Sequence, residues 1–136
     1  MRTIKVTSVI LFLVSINLDG QNLIGLREKE IRQYMSENQK ELTFQNFTNN
    51  TTFKYLKYID KAEAKTLLFF LNDQSVCKTV RLVCDKSLKE EKIKEYDSLY
   101  KKTGDNRWIE TKNGKNYLIE IKEEEWSFNV TIKLDE

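Results

Sequence analysis

The densest apolar stretch after the N-terminal segment lies between residues 64 and 84 and is broken once by a four-residue turn signal. Two apolar runs, residues 67–71 and 76–84, flank the segment Asn72-Asp73-Gln74-Ser75, whose residue types favour a turn. Short apolar runs bounded by turn residues are typical of paired β-strands. The stretch therefore predicts a β-hairpin at the centre of a sheet, and the rest of the chain is expected to lie beside it or across it.

A hairpin register centred on Asp73 and Gln74 sorts the side chains into two faces, because successive strand residues point to opposite sides. The first face is the more apolar and is expected to pack against helices; it contains Leu67, Phe69, Leu71, Val76, Val80, Leu82 and Cys84. The second face mixes apolar, hydroxyl and cationic side chains; it contains Thr66, Leu68, Phe70, Cys77, Thr79, Arg81 and Val83. An aromatic and arginine-bearing face of this kind suits protein binding. The alternative is that a loop, a second molecule or the N-terminus of the chain covers this face for stability alone.

The two cysteines are expected to be reduced thiols. Cys77 and Cys84 lie in one predicted strand, which separates their Cα atoms by about 23 Å at roughly 3.3 Å per residue. A disulfide requires a much shorter separation, and the odd spacing also points the two side chains to opposite faces. A bridge, which an even cysteine count in an exported chain would suggest, would require the strand prediction to be wrong.

The N-terminus has the pattern of a signal peptide. Arg2 and Lys5 precede an apolar run at residues 6–16, which is shorter than the roughly 20 residues that span a bilayer and matches a signal-peptide core. We expect residues 1–20 to be cleaved and residues 21–136 to form a single domain, exported to the periplasm or secreted, without a stable membrane anchor. The alternative is a buried N-terminal strand.

Two amphipathic segments predict helices; the first begins at Leu26 and ends near Asn38, and the second covers residues 88–100. Ser87 is expected to be the N-cap of the second helix, with Glu90 completing a capping box, and Gly104 to lie just after its end. Alternating runs predict strands at residues 42–47, 53–59, 107–112, 115–122 and 126–134, with Asn113-Gly114 forming a type I′ turn. The order predicts an α+β fold: an antiparallel sheet of about six to seven strands with two helices packed on one face.

The two predicted helices share residue types at a constant offset of 62 positions. The matched positions in the first helix are Leu26, Glu28, Ile31, Tyr34 and Ser36, and those in the second are Leu88, Glu90, Ile93, Tyr96 and Ser98. Two readings stay open: a pair of α-β pseudo-repeats, or two helices that meet the same amphipathic requirement.

Composition removes several chemistries. The chain has no histidine, and Cys77 therefore lacks the usual activating base. The consecutive side chains of Glu123, Glu124 and Glu125 diverge, so a solvated turn is favoured over a cation site. A net charge of +2 gives no overall attraction for nucleic acid. We expect no enzymatic activity, no cofactor, no metal and no nucleic-acid partner.

A family resemblance rests on three groups of residues. These are Ile24-Gly25-Leu26 before a charged helix, Tyr55-Leu56-Lys57-Tyr58, and a hairpin with Leu68-Phe69-Phe70 followed by Val76 and Val80. Over residues 24–84 the chain resembles small exported bacterial domains of the BamE and β-lactamase-inhibitor-protein-like type, and more closely small exported proteins of Bacteroidetes. The resemblance implies a module that presents a sheet face to another protein, and it implies no catalytic residue.

Two functional hypotheses follow. The first is a protein-interaction module whose partner binds to an open sheet face. Its predicted contact residues come from three strands and are Thr66, Leu68, Phe70, Thr79, Arg81, Thr131 and Lys133. The second is a small-ligand carrier with an aromatic pocket between helices and sheet, lined by Tyr34, Tyr96, Tyr100, Trp108 and Trp126.

Overall fold

The computed structural model describes residues 22–62 and 64–136, and the predicted signal peptide lies outside the described residues. The first half consists of α1 (Glu28–Asn38), β1 (Thr43–Asn49), β2 (Lys54–Asp60), β3 (Lys65–Leu71) and β4 (Cys77–Asp85). A 3₁₀ turn, Lys86–Leu88, leads into the second half. That half consists of α2 (Lys89–Leu99), β5 (Lys101–Gly104), β6 (Arg107–Lys112), β7 (Lys115–Glu123) and β8 (Ser127–Leu134).

The described strands form one antiparallel sheet in the order β1-β2-β3-β4-β8-β7-β6-β5. Each half is a helix followed by a four-stranded meander, and the two meanders meet where β4 pairs with β8. The α+β class and the antiparallel sheet are confirmed, but the sheet has eight strands rather than six or seven. The unpredicted strand is β5, whose four residues KKTG have no apolar alternation.

One side of the sheet forms the hydrophobic core. Phe69, Trp108 and Phe128 are fully buried on this side, because alternate residues of each strand point to it. From the helices, Ile31 and Met35 of α1 and Tyr96 of α2 belong to the same apolar cluster. Both helices therefore contribute their buried side chains to one face of the sheet.

The helix boundaries differ from the sequence-based prediction for local reasons. Leu26 lies before α1 because its carbonyl accepts a hydrogen bond from the Cys77 backbone N–H at 2.8 Å. Ser87 is not the N-cap of α2. The Asp85 carboxylate instead accepts bonds from the Ser87 N–H and hydroxyl group, at 3.0 and 2.6 Å, and caps the 3₁₀ turn. Gly104 does not close a helix, since α2 ends at Leu99 and Gly104 belongs to β5.

The two helices are equivalent at an offset of 61 residues rather than 62. Their first residues are Glu28 and Lys89 and their last are Asn38 and Leu99. Met35 and Tyr96, one at each equivalent position, are both buried. The residue matches at offset 62 therefore fall one position away from the equivalence of the two helices.

The β3–β4 hairpin has the predicted faces but a different register. Leu68 pairs with Arg81 rather than with Thr79, a shift of two residues that leaves the face of each side chain unchanged from Thr79 onward. The pairing is irregular near the turn: Phe70 pairs with Thr79 and Leu71 with Cys77, so that Lys78 is an extra residue on β4. This β-bulge reverses the alternation for the residues before it.

The prediction that Cys77 lies on the second face is therefore wrong. Cys77 and Cys84 are both buried in the core, despite their odd spacing. Val76, predicted on the first face, precedes β4 and forms an isolated antiparallel bridge with Arg27. Both cysteines are free thiols.

Candidate functional site

The candidate site is the sheet surface opposite the core, which we call the open face. We define it by the six inner strands β2, β3, β4, β6, β7 and β8, without the edge strands β1 and β5. Its central side chains are Tyr55, Lys57, Ile59, Thr66, Leu68, Phe70, Thr79, Arg81, Val83, Arg107, Ile109, Leu118, Glu120, Lys122, Asn129, Thr131 and Lys133. Each of these side chains is half-buried or exposed. Side chains in central strands would be fully buried if a second layer covered them, so this surface is open.

The structure brings all seven predicted contact residues together on the open face. Register pairs place Leu68 beside Arg81, and Arg81 beside Thr131 on β8. Phe70 lies beside Thr79, and Thr79 lies beside Lys133. Thr66 completes the set by pairing with Val83.

Aromatic contacts hold the central cation of the open face. The guanidinium carbon of Arg81 lies 5.3 Å from the centre of the Phe70 ring. The Tyr55 ring, on the next strand, packs against Phe70 with 5.5 Å between ring centres. The Arg81 Nε is buried and has no hydrogen-bond partner among the described residues. The ring of Phe70 therefore provides the interaction that restrains this charge.

Charges are distributed unequally between the two sides of the sheet. On the helix side, Lys86 and Lys89 lie 3.4 and 3.1 Å from Glu123 carboxylate oxygens. On the open face, Arg107 and Glu120 form an ion pair of 3.0 Å. The remaining open-face cations have no carboxylate within salt-bridge distance among the described residues; they are Lys57, Arg81, Lys122 and Lys133. The open face is thus cationic and only partly neutralised.

The sequence-based prediction missed the contributions of β2, β6 and β7 to this face. The alternation of Tyr55, Lys57 and Ile59 in β2 carried the necessary signal, because it matches the mixed composition of the β3 face. In β7, Leu118 and Glu120 alternate with the buried Ile119 in the same way. Leu118 and Glu120 lie beside Lys133 and Thr131 because β7 pairs with β8. Local sequence patterns do not predict this strand order.

Of the aromatic residues proposed for a carrier pocket, Tyr96 and Trp108 are buried in the core and Trp126 is exposed. Tyr96 packs against Trp108 and Tyr100, with ring centres 5.4 and 5.6 Å apart, inside the core. The Trp108 indole N–H donates to Asp97 Oδ1 at 2.9 Å. Burial, and then the nearby charges of Glu110 and Glu95, raises the pKa of Tyr100. Trp126, which was predicted to begin the last strand and to line the pocket, precedes β8 in a turn and is 80% exposed.

Cys77 and Glu123, considered above as a nucleophile and as part of a cation site, lie in surroundings that suit neither role. Burial raises the pKa of the Cys77 thiol to about 12, although a hydrogen bond with the Thr79 backbone acts in the opposite direction. A thiol of this kind is protonated near neutral pH and is a poor nucleophile. Hydrogen bonds from Lys89 and Lys86 lower the pKa of Glu123. Within residues 22–62 and 64–136, no three Asp, Glu, Cys or His side chains are grouped to hold a metal ion.

Comparisons with known proteins give no relative for this chain: no family model, no curated protein and no solved structure matches it. In the part of the chain that the structure describes, neither helix has the length and apolar character needed to cross a membrane.

Proposed function

We propose that this protein is an exported, non-enzymatic interaction module that binds another protein through the open face. The observation that carries the proposal is the composition of that face: cations without carboxylate partners stand among half-buried aromatic and aliphatic side chains. Aromatic residues and arginine are enriched where proteins bind one another, and they supply much of the binding energy.

Arg81 is proposed as the central contact residue. It lies on β4, one of the two middle strands of the sheet, and its neighbours Leu68 and Thr131 belong to different halves of the chain. We interpret the two helix-plus-meander halves as α-β pseudo-repeats, so that the open face is built from both. Binding at this position would bury Arg81 near the middle of the contact, where anchor residues contribute most.

Site-specific photo-cross-linking in the native envelope tests the proposal. A benzoylphenylalanine at Thr131, on the open face, should form a discrete adduct with a partner protein. The same group at Lys94, an exposed position on α2, should give none. Adducts from Lys94 alone, or no adduct from either position, would contradict the proposal.

Two variants sharpen the test. Arg81→Ala and Phe70→Ala should each reduce the Thr131 adduct, because they remove the central cation or the ring that restrains it. Lys94→Ala is the matched control, since it also removes a cation from an exposed position but leaves the open face intact. Equal adduct yields from all three variants would exclude Arg81 and Phe70 as contacts.

A further inference from the structure

At one end of the open face, a pocket lies where β4 bulges and the β1–β2 turn approaches β3. Its volume is about 300 Å³, at the lower end of the roughly 300–1,000 Å³ typical of ligand sites. The side chains that define it come from that turn and from β2, β3 and β4: Phe53, Lys54, Phe70, Lys78, Thr79 and Arg81. A pocket of this size suits one or two amino-acid side chains better than an extended ligand.

The lining of this pocket contains three cations and no carboxylate. The Lys54 ammonium group donates to the Ser75 hydroxyl group at 2.6 Å, which positions it without neutralising it. Lys78 and Arg81 have no carboxylate within salt-bridge distance among the described residues. Asp73, five residues before Lys78, lines an adjoining depression that shares Lys54 and Lys78 with this pocket. The pocket is therefore complementary to an anionic group.

The β-bulge adds Lys78 to this pocket. Because Leu71 pairs with Cys77 and Phe70 with Thr79, Lys78 has no partner across the strand pair. In a regular strand, the residue before Thr79 would point to the core. The β-bulge instead redirects the Lys78 side chain. The result is that Lys78 and Arg81 both line the pocket from one strand.

Apolar surface lies next to these cations. Phe53 is 52% exposed, and the Phe70 ring already holds the Arg81 guanidinium group. A carboxylate can accept two parallel N–H bonds from arginine, while an apolar neighbour in the same ligand would cover the Phe53 ring. In a peptide, an acidic residue followed by an apolar residue places a carboxylate and an apolar side chain close enough together to contact Arg81 and Phe53 at the same time.

Resting on the proposed function, we infer that this pocket anchors the partner, and that the anchor is a carboxylate side chain in a segment where an acidic residue adjoins an apolar one. The other unpaired cations of the open face extend this complementarity beyond the pocket, since Lys133 lies beside Thr79 in the neighbouring strand. The partner surface is accordingly acidic.

Nuclear magnetic resonance titration of the ¹⁵N-labelled protein with a defined peptide tests the inference. The probe is acetyl-Gly-Asp-Leu-Gly-amide, and the matched probe carries Asn in place of Asp. The Asp peptide should shift the backbone amides of residues 52–54 and 78–81, with an affinity at least about tenfold higher than that of the Asn peptide, because charge-assisted hydrogen bonds are stronger. Added salt should reduce the difference.

Variants locate the binding charge. The double variant Lys78→Gln, Arg81→Gln should lower the affinity for the Asp peptide about tenfold, to that of the Asn peptide. Lys94→Gln, which removes an exposed cation from α2 and leaves the open face intact, should leave it unchanged. Unaltered spectra away from the substituted positions would show that each variant is folded.

Several results would overturn the inference: equal affinity for the two peptides, no shifts with either, shifts spread over the whole sheet, or sodium acetate binding as tightly as the Asp peptide. Failure here and failure of the proposed function are distinguishable. A Thr131 adduct without Asp-peptide binding removes the pocket but keeps the open face, whereas Asp-peptide binding without an adduct keeps the pocket and removes the interaction module.

Discussion

The guanidinium group of Arg81 lies 5.3 Å from the centre of the Phe70 ring, on adjacent strands of the open face. A partly exposed cation–π contact of this kind contributes about 0.5–1 kcal/mol. No carboxylate among the described residues shares the Arg81 charge. The contact therefore fixes the position of a cation without neutralising it, which leaves the charge available to a binding partner.

Phe69 and Phe70 are adjacent phenylalanines on opposite faces, and truncating them should have very different effects. Phe69 is fully buried, so Phe69→Ala should lower the free energy of unfolding by about 3–5 kcal/mol. Phe70→Ala should lower it by about 1 kcal/mol, because it removes a half-buried ring and its contact with Arg81. Urea denaturation monitored by circular dichroism measures both. Similar losses for the two variants would mean that the open face is covered.

The two tryptophans provide a second matched pair. Trp108 is fully buried and Trp126 is 80% exposed. Acrylamide should quench the fluorescence of a Trp108→Phe variant, which retains only Trp126, several-fold more efficiently than that of a Trp126→Phe variant. Trp126→Phe should also change the unfolding free energy by less than about 0.5 kcal/mol, as surface substitutions usually do. Comparable quenching of the two variants would contradict the placement of Trp126.

The faces of the central hairpin could be predicted from the sequence because their signal is local. Alternation assigned Leu68, Phe70, Thr79 and Arg81 to one side, and a register shift of two residues does not change a side chain's face. The bulge at Lys78 could not be predicted in this way. An inserted residue leaves the alternation intact on each side of it, but the residues before it then point to the opposite face from the one predicted. Cys77 was misplaced for that reason.

The extent of the candidate site depends on strand order, which alternation does not specify. The β4–β8 pairing places Thr131 beside Arg81 and joins the two halves of the chain. The alternation of residues 126–134 places Thr131 and Lys133 on the open face only on the assumption that the apolar side of that strand packs against the helices. The strand β5 and the cap at Asp85 lacked distinctive patterns, because short polar segments fit turns, caps and strands equally well.

The Asn113-Gly114 turn was predicted from its residue pair, and the structure gives both residues positive φ values, 53° and 78°, as a type I′ turn requires. Gly114→Ala should lower the unfolding free energy by about 1 kcal/mol through backbone strain alone, because no atom lies within 4 Å of the added Cβ. Gly104→Ala is the control. Its added Cβ would meet the Arg107 side chain at an ordinary 3.6 Å, and a change within about 0.5 kcal/mol is expected. Equal losses would show that the strain at Gly114 is absent.

Burial of Cys77 should make the folded state less stable at alkaline pH. The thiol has an ordinary pKa of 9.0, which burial raises to about 12 in the folded protein. Between these values the folded state keeps a proton that the unfolded state has lost, so the unfolding free energy should fall as pH rises, by up to about 1.4 kcal/mol per pH unit. Below pH 9 this contribution is constant.

Cys77→Ala isolates this contribution from that of the tyrosines, since burial also raises the pKa of Tyr34 and Tyr58. The difference in unfolding free energy between the wild type and Cys77→Ala should be constant below pH 9 and shrink between pH 9 and 11. Val80→Ala, another truncation in the core of β4, should differ from the wild type by a constant amount over the same range. Guanidinium denaturation at each pH supplies the values, and a constant difference for Cys77→Ala as well would show that its thiol ionises as readily in the folded chain as in the unfolded one.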